Sequence, residues 1–379
     1  MINVVERPTI NKLFVEVHIA DIHFGAINPN LQYNILKEQF LDVISSMETL
    51  DIVSIDGDIF EHKYMANSNA VMYACYFMEE LVRICRMKNT TLIIIGGTYE
   101  HDADQLKLFY KYANVNSEAD VRIIEEVRFE YIKGKKILII PELYAKGKEY
   151  YEKFLFHSGL YDALYMHGTL VNTVYGKTTP SLDSARDPVF CIEDFINCAG
   201  PIIAGHVHTP GCHGMYFYYC GTPIRCKFGQ EEDKGYLILL HNIDTREHYT
   251  YFKTVKSFRY DTINLDNMIE QDPKIVIDYI NNLQANGIDN IRVEITKNIS
   301  ENINVVRNYY RSNPNVKIEA DFKNDKVLQD IKILSEKYND YEYLKGPGTP
   351  ESKLAQYINQ NEGCIFITAD ELKALLKNL

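Results

Sequence analysis

The sequence predicts an α/β fold in which two sheets are flanked by helices and followed by a small α/β domain and a helical C-terminal tail. Three observations support this prediction. Short apolar segments alternate with longer amphipathic segments over the first part of the chain, which is typical of strands alternating with helices. Residues 214–252 contain closely spaced strand patterns with no helix pattern between them. Residues 273–322 then show a helix–strand–helix–strand pattern.

The alternating region predicts strands that are short runs of apolar and β-branched residues. These strands cover residues 13–18, 52–55, 91–95, 137–140, 163–166 and 201–204. Between them, segments 35–50 and 71–87 repeat apolar residues with helical spacing, and another helix is predicted near 105–113. This order indicates a parallel or mixed sheet covered by helices.

The next strand patterns follow one another directly, so we expect a second, antiparallel sheet packed on the first. They cover residues 215–223, 235–242 and 248–255. The pattern changes near residue 258, which gives three predicted domains. These are a main domain at 1–257, a small α/β domain at 258–323 and a helical tail at 324–379, with a Gly- and Pro-rich linker near 345–352.

The tail ends in a predicted amphipathic helix. Thr368 and Glu371 have the spacing of a capping box. The leucines that follow share one helix face at i, i+3, i+4 and i+7, and they are Leu372, Leu375, Leu376 and Leu379. Such a face can dock on another helix or in a groove of a partner, and it can also fold back on the small domain of the same chain.

Composition and charge narrow the classes of function. Hydrophobic residues make up 46% of the 379 residues, but no run approaches the ~18 apolar residues of a membrane span. The N-terminal segment lacks the apolar core and cleavage site of a secretory signal. We therefore expect a soluble, cytoplasmic protein with no membrane partner. Because the net charge is −12, nucleic-acid binding would need a local basic patch, bridging metal ions or a partner protein.

Residue types that bind metal ions recur directly after five predicted strands. The segments are Asp21-Ile-His23, Gly57-Asp58, Gly97-Thr-Tyr-Glu100-His101-Asp102, His167-Gly168 and Gly205-His206-Val-His208. Because strand ends in an open α/β sheet meet at one edge, we expect these loops to converge. Each motif alone is weak, since one histidine at a strand end is more often structural. The ordered set of five is specific.

These candidates are carboxylates and imidazoles without thiolates, which suit Mn²⁺, Fe²⁺ or Zn²⁺. They outnumber the ligands that one tetrahedral ion needs, so the sequence favours a two-metal site. We expect two divalent ions, with Mn²⁺ as the first choice and Mg²⁺, Fe²⁺ or Zn²⁺ as alternatives.

The ordered set resembles the calcineurin-like metallophosphoesterase superfamily, whose pattern is DxH, GD, GN-H-D or -E, H and GHxH. The resemblance covers roughly residues 13–240. The segments YCGTPIR (219–225), FGQE (228–231) and KGY (234–236) look like those that follow GHxH in SbcD-type, or Mre-eleven-type, nuclease subunits of DNA repair, including phage-encoded members. The family's order also matches: a two-sheet metallophosphoesterase sandwich, a capping domain and a partner-binding helical segment.

The resemblance implies a ligand set. Asp21, His23, Asp58 and His208 would hold one cation, and Asp58 would bridge to a second cation that also takes His167 and His206. The remaining ligand of the second cation is an Asn in the family. This chain has Glu100 in that position, with Thr98 as a minor alternative. A carboxylate there would add a charge where the family has a neutral amide, which leaves open how active the site is.

The resemblance also suggests roles for neighbouring residues. His101 matches the histidine that protonates the leaving oxygen, and Asp102 would orient it or cap the next helix. His62 and Lys63 follow the GD motif where a phosphate backbone could pass, although a solvated loop is an equal alternative. Arg225 could bind phosphate or form a structural salt bridge.

Three functions are therefore compared. The first is a metal-dependent DNA exonuclease or endonuclease that works with an SbcC-like coiled-coil ATPase in a complex with two copies of each subunit. It would act in DNA repair, recombination or replication, in the host cytoplasm if phage-encoded. The second is a small-molecule or nucleotide phosphoesterase with the same dinuclear centre. The third is a non-catalytic scaffold with a modified metal site. The GTPIR segment, the small domain and the tail favour the first.

Overall fold

The structure is a computed structural model that describes residues 13–113, 118–143, 146–170, 189–214, 216–242, 248–268, 271–295 and 301–320. Its strands are β1 (Leu13–Ile19), β2 (Ile52–Asp56), β3 (Thr91–Ile95), β4 (Val121–Ile124), β5 (Arg128–Ile132), β6 (Lys135–Ile140), β7 (Ala163–His167), β8 (Thr169–Leu170), β9 (Val189–Phe190), β10 (Ile202–Gly205), β11 (Gly211–His213), β12 (Phe217–Tyr219), β13 (Gly235–Asn242), β14 (His248–Thr254), β15 (Tyr260–Asn264), β16 (Asn290–Ile295) and β17 (Val316–Ala320). Its α-helices are α1 (Pro29–Leu36), α2 (Asp42–Ser46), α3 (Asn69–Lys88), α4 (Lys148–Leu155), α5 (Pro273–Ala285) and α6 (Glu301–Tyr309). A π-helical segment (Lys37–Leu41) joins α1 to α2, and 3₁₀ helices cover Ala103–Tyr112 and Ile192–Phe195.

Helix α3 begins and ends where its local sequence predicts. The Ser68 side chain accepts a hydrogen bond from the Val71 N–H at 3.3 Å and so satisfies a free donor of the first turn. The helix ends at Asn89, which adopts the left-handed conformation common at helix C-termini. Its buried face includes Phe77 and Leu81, which belong to the core between the helices and the first sheet. The predicted helix at 71–87 is therefore confirmed.

The first six-stranded sheet has the order β14-β13-β1-β2-β3-β4. Strands β1 to β4 are parallel to one another, β13 runs antiparallel to β1, and β14 runs antiparallel to β13. Strands β2 and β3 are buried along their whole length. This burial is expected for parallel strands that are covered on both faces.

The second six-stranded sheet has the order β11-β12-β10-β7-β6-β5. Strands β12, β10, β7 and β6 are parallel, and the antiparallel strands β11 and β5 form the two edges. The expectation of a separate antiparallel sheet after residue 214 is wrong. Strand β12 pairs in parallel with β10, whereas the β13–β14 hairpin extends the first sheet beside β1. Local strand patterns do not encode which sheet a strand joins.

A shared apolar core shows that the two sheets face each other. Ile52 and Ile93 from the first sheet lie in one cluster with Ile137, Ile139 and Ile203 from the second. Helices α1 and α3 cover the outer face of the first sheet, and α4 packs on the outer face of the second. The chain therefore forms a mixed α/β sandwich of two sheets flanked by helices, and the predicted fold class is confirmed.

A third sheet follows, in the order β15-β16-β17, with all strands parallel. Helices α5 and α6 pack on it through a separate cluster that includes Val276, Ile280, Val293 and Val306. The predicted pattern of residues 273–322 thus appears as α5, β16, α6 and β17. The predicted domain boundaries remain predictions, and the linker near 345–352 and the tail at 324–379 lie outside the described residues.

None of the helices within the described ranges is both long enough and apolar enough to cross a membrane.

Candidate metal centre

The predicted metal-binding loops converge at the carboxyl ends of β1, β2, β3, β7 and β10. Neighbouring loops are joined by backbone hydrogen bonds, with the Asp21 N–H donating to the Gly57 carbonyl at 3.1 Å and the His23 N–H to the Asp58 carbonyl at 3.0 Å. The two sheets bring their strand ends to the same region, because His167, the last residue of β7, donates through its ring Nδ1 to the Asp56 carbonyl of β2 at 2.8 Å. The ordered motifs therefore meet in one place.

Four of the predicted ligand residues have left-handed backbone conformations. They are Asp21, His23, Asp58 and His206, with φ between 49° and 82°. Residues other than glycine rarely adopt this conformation, and it costs of order 1–3 kcal/mol per residue. Surrounding bonds hold it in place. The His206 N–H, for example, donates to both carboxylate oxygens of Asp21, at 2.9 and 3.1 Å.

Potential ligand atoms within 4.8 Å of one another form overlapping groups in the described part of the chain. The groups are Asp21/His23/His208, Asp21/Asp58/His167, His23/Asp58/His101 and Glu142/His167/His206. Asp58 occurs in two of them, and these two share residues with the first group and with the last. Asp58 Oδ2 is 3.4 Å from His167 Nε2 and 3.9 Å from both His23 Nε2 and His101 Nε2.

The donor atoms fit divalent cations. His23 Nε2 and His208 Nε2 face each other at 3.0 Å, so at most one of these nitrogens can carry a proton that bonds to the other. Glu142 Oε1 is buried and has no hydrogen-bond partner among the described residues. Buried polar atoms normally have partners, and a cation beside these lone pairs would supply one.

The pKa values of two candidate ligands, Asp58 and His208, also favour metal binding. Burial by itself raises the pKa of the Asp58 carboxyl, but the surrounding imidazoles, His167 first, hold that pKa well below its ordinary value. Burial lowers the pKa of His208 well below its ordinary value, and the charge of His23 adds to this effect. Asp58 is therefore an ionised carboxylate and His208 a neutral imidazole, the protonation states that metal ligands need.

The pKa of His167 shows how negative the site is. Burial by itself lowers the pKa of His167, but the carboxylates of Asp58, Asp21 and Glu142 raise it well above its ordinary value. Positive charge is thus stabilised between these carboxylates. A bound divalent cation would supply that charge and leave His167 neutral.

Seven of the predicted ligand and catalytic residues lie together, but Glu100 does not. These seven are Asp21, His23, Asp58, His101, His167, His206 and His208. Glu100 is exposed and belongs to none of the groups within the described residues. Thr98 lies in the centre because its N–H donates to Asp58 Oδ1 at 2.6 Å. Tyr99 and Glu100 form the exposed part of the turn before the chain returns at His101.

The sequence reasoning missed Glu142. This residue is the second after the end of β6, with Pro141 between them. Its carboxylate lies 3.2 Å from His206 Nδ1 and 3.5 Å from His167 Nε2. Thr98 Oγ1 is 3.1 Å from the same Glu142 oxygen. A signal was present, because 137–140 was predicted as a strand and an acid follows it, as in the other loops.

The Asp102 side chain makes neither of the contacts expected from the sequence: it does not bond to the His101 ring, and it does not cap the following helix. Its carboxylate instead accepts backbone N–H groups from two loops: those of Asp58 (3.0 Å) and Gly97 (3.1 Å) at Oδ2, and those of Ile59 (2.9 Å) and Phe60 (3.4 Å) at Oδ1. Asp102 therefore fastens the loop after β2 to the loop after β3. The His101 ring is oriented by the Glu61 carbonyl oxygen, to which its Nδ1 donates.

The predicted substrate-binding residues have different surroundings. His62 and Lys63 are exposed near the centre. The His62 ring lies 4.1 Å from the Tyr64 ring, and Lys63 lies 3.8 Å from an Asp104 oxygen. Arg225 has a structural role instead, because its guanidinium donates to the carbonyl oxygens of residues 230–232 at 2.8–3.3 Å. The four tail leucines lie outside the described residues.

Comparison with known proteins gives one distant similarity. The chain is 22% identical over 229 residues to the protein named Putative phosphoesterase 244L of Invertebrate iridescent virus 6, a match that covers 59% of this chain and 75% of the viral protein. No family model matches the chain. The fold, the metal-binding groups and this similarity together support a phosphoesterase-type protein with a metal site.

Proposed function

We propose that this protein is a two-metal phosphodiesterase that cleaves DNA. The observation that carries the proposal is the arrangement around Asp58. Asp58 shares one group with His23 and another with Asp21 and His167, so it links the Asp21/His23/His208 group to the Glu142/His167/His206 group. A shared carboxylate between two such groups is the arrangement that two-metal hydrolases need.

The two cations, when bound, would supply Lewis-acid stabilisation of charge on the phosphodiester and lower the pKa of a water molecule. Asp21, His23, Asp58 and His208 would hold the first ion, and Asp58, His167 and His206 the second. Backbone N–H groups of the metal-binding loops donate to the carboxylates of Asp102 and Asp21. These hydrogen bonds keep the ligand side chains in place before substrate binds.

We assign to His101 the role of the general acid that donates a proton to the leaving oxygen. Its Nδ1 hydrogen is used by the Glu61 carbonyl, so only Nε2 of the protonated ring faces the centre. Nε2 lies 3.9 Å from Asp58 Oδ2, and 26% of the His101 side chain is exposed. A phosphate ester in the opening could therefore reach this nitrogen. General acid catalysis of this kind contributes about 10²–10⁴-fold.

DNA is favoured as substrate by the segments after GHxH that resemble SbcD-type nucleases and by the small α/β unit. The loop that contains Arg225 contacts this unit through Phe228, whose ring lies 5.1 Å from the Tyr260 ring and 4.5 Å from the Arg292 guanidinium. A substrate that crosses the metal centre would thus pass beside a second folded unit. A small-molecule phosphoesterase needs no such unit.

We further propose a partner, an SbcC-like coiled-coil ATPase that the leucine face of the tail would bind, in a complex with two copies of each subunit. The net charge of −12 supports this view, because an acidic nuclease gains DNA affinity from a partner and from its metal ions. Truncation after Gly346 should spare hydrolysis of a small diester and remove co-purification with the ATPase. Full co-purification of the truncated chain would refute the docking role.

The proposed activity is tested with the full chain and Mn²⁺. Linear DNA and bis-p-nitrophenyl phosphate are compared as substrates, with and without the ATPase, and His206→Ala serves as the metal-site control. We expect both substrates to be cleaved by the parent and neither by the variant. Cleavage of the small diester alone, even with the ATPase, would favour the small-molecule phosphoesterase. Cleavage of neither would favour the scaffold.

A further inference from the structure

The second metal position lacks a ligand that the resemblance leads one to expect from the loop after β3. Thr98, the alternative to Glu100 for this position, directly follows Gly97, and its hydroxyl lies 3.3 Å from Asp58 Oδ2 and 3.5 Å from His167 Nε2. A neutral hydroxyl is a weaker metal ligand than an amide oxygen. Glu100 does not replace it, since its side chain lies on the exposed part of the turn.

Glu142 reaches this position from a different strand. It follows β6, and its N–H donates to the Gly96 carbonyl at 3.1 Å, which fixes the chain beside the end of β3. Its side chain is only 2% exposed, and one carboxylate oxygen lies 3.2 Å from His206 Nδ1 and 3.5 Å from His167 Nε2. The other oxygen is buried without a hydrogen-bond partner among the described residues.

We propose that Glu142 is a ligand of the second cation and that it takes the place of the family's Asn from another part of the chain. This inference rests on the proposed two-metal function and names one of its ligands. The Thr98 hydroxyl, 3.1 Å from the Glu142 carboxylate, then acts as a hydrogen-bond donor that holds the carboxylate in position.

The substitution changes the charge of the centre. Asp21, Asp58 and Glu142 provide three carboxylates, where an Asn would leave two. The extra negative charge should bind the second cation more tightly, because affinity for hard divalent cations rises with the number of charged ligands. It should also make the loaded centre less attractive to a phosphodiester anion than a site with an amide. The protein is thus adapted to retain two metal ions rather than to maximise their positive charge.

The alternative is that Glu142 only forms an ion pair with the neighbouring imidazoles. The two readings differ in a binding measurement. If Glu142 is a ligand, Glu142→Gln, which keeps the shape but removes the charge, should weaken the second Mn²⁺ affinity on the order of 10-fold or more. The first affinity should stay as in the parent, since the Asp21/His23/His208 group does not include Glu142. If Glu142 is only an ion-pair partner, both Mn²⁺ affinities should remain unchanged.

The experiment is a calorimetric Mn²⁺ titration of the metal-stripped full chain, with electron paramagnetic resonance to count coupled ions. Glu100→Gln is the matched control. It removes the same charge from an exposed residue of the loop after β3, so this variant should bind Mn²⁺ like the parent. Unchanged affinities in Glu142→Gln, or loss of both affinities, would overturn the Glu142 assignment alone. A parent chain that binds fewer than two Mn²⁺ ions would overturn the two-metal function together with it.

Discussion

Replacement of Asp102 by asparagine should destabilise the fold, because this carboxylate holds two metal-binding loops together. It is buried and accepts four backbone N–H groups, from Gly97 of one loop and from Asp58, Ile59 and Phe60 of the other. An asparagine offers one oxygen, and its NH₂ group would face donors instead of accepting from them. Asp102→Asn therefore loses two of the four hydrogen bonds.

The expected magnitude follows from the donors that lose their acceptor. A buried N–H group left without a partner costs about 1–3 kcal/mol, so two such groups predict a decrease of about 2–6 kcal/mol in the free energy of unfolding. A domain has only about 5–15 kcal/mol in total, so the loss is a large part of its stability. Burial and the nearby Asp58 carboxylate raise the pKa of Asp102 to about 7, so the ionised form is disfavoured in the folded chain and the parent loses stability as the pH rises towards 7. The assay is therefore run at pH 5, where most of this loss is absent.

The measurement is urea unfolding of the metal-free chain, followed by circular dichroism. Asp104→Asn is the matched control, because Asp104 is exposed and pairs only with surface lysines in the described structure, so this variant should unfold like the parent. If the free energy of unfolding of Asp102→Asn decreased by less than about 1 kcal/mol, Asp102 would not be what holds the two loops together. If that variant kept parental stability and lost turnover, Asp102 would act on His101, as the sequence suggested.

Three further predictions concern the centre and the core behind it. His101→Asn should keep Mn²⁺ affinity but lose more turnover on DNA than on an aryl diester, whose leaving group needs no proton; equal losses in the two hydrolysis assays would remove His101 from the acid role. Gly97→Ala should abolish Mn²⁺ binding in calorimetry, because a Cβ there would lie 2.2 Å from Asp58 Oδ1; parental affinity would contradict this geometry. Burial by itself lowers the pKa of His18, but Asp56 raises it to about 9. The protonated ring therefore stabilises the fold below pH 6.5, and the free energy of unfolding should fall by about 3 kcal/mol as the pH rises through 9. In urea unfolding below pH 6.5 and above pH 9, His18→Gln should lack this loss.

Much of the fold follows from the sequence, because strands and helices are encoded by local patterns. The apolar runs that became β2, β3, β7 and β10 and the periodic segment that became α3 were all predicted within a few residues. The assignment of β12, β13 and β14 to a separate antiparallel sheet was wrong. Pairing partners are decided by contacts between residues far apart in the chain, such as Leu13 with Asn242, which a local pattern does not contain.

The candidate site divides in the same way. The sequence by itself determined that Asp21, His23, Asp58 and the later histidines follow strand ends, and strand ends of one sheet edge must converge. Only the tertiary structure brought Glu142, and not Glu100, beside His167 and His206. Glu100 is near the expected position along the chain but lies on the outside of a turn, whereas Glu142 is 44 positions from Thr98 and comes within hydrogen-bond distance of it. The direction in which a side chain points depends on how separate strands pack, and sequence spacing carries no information about that.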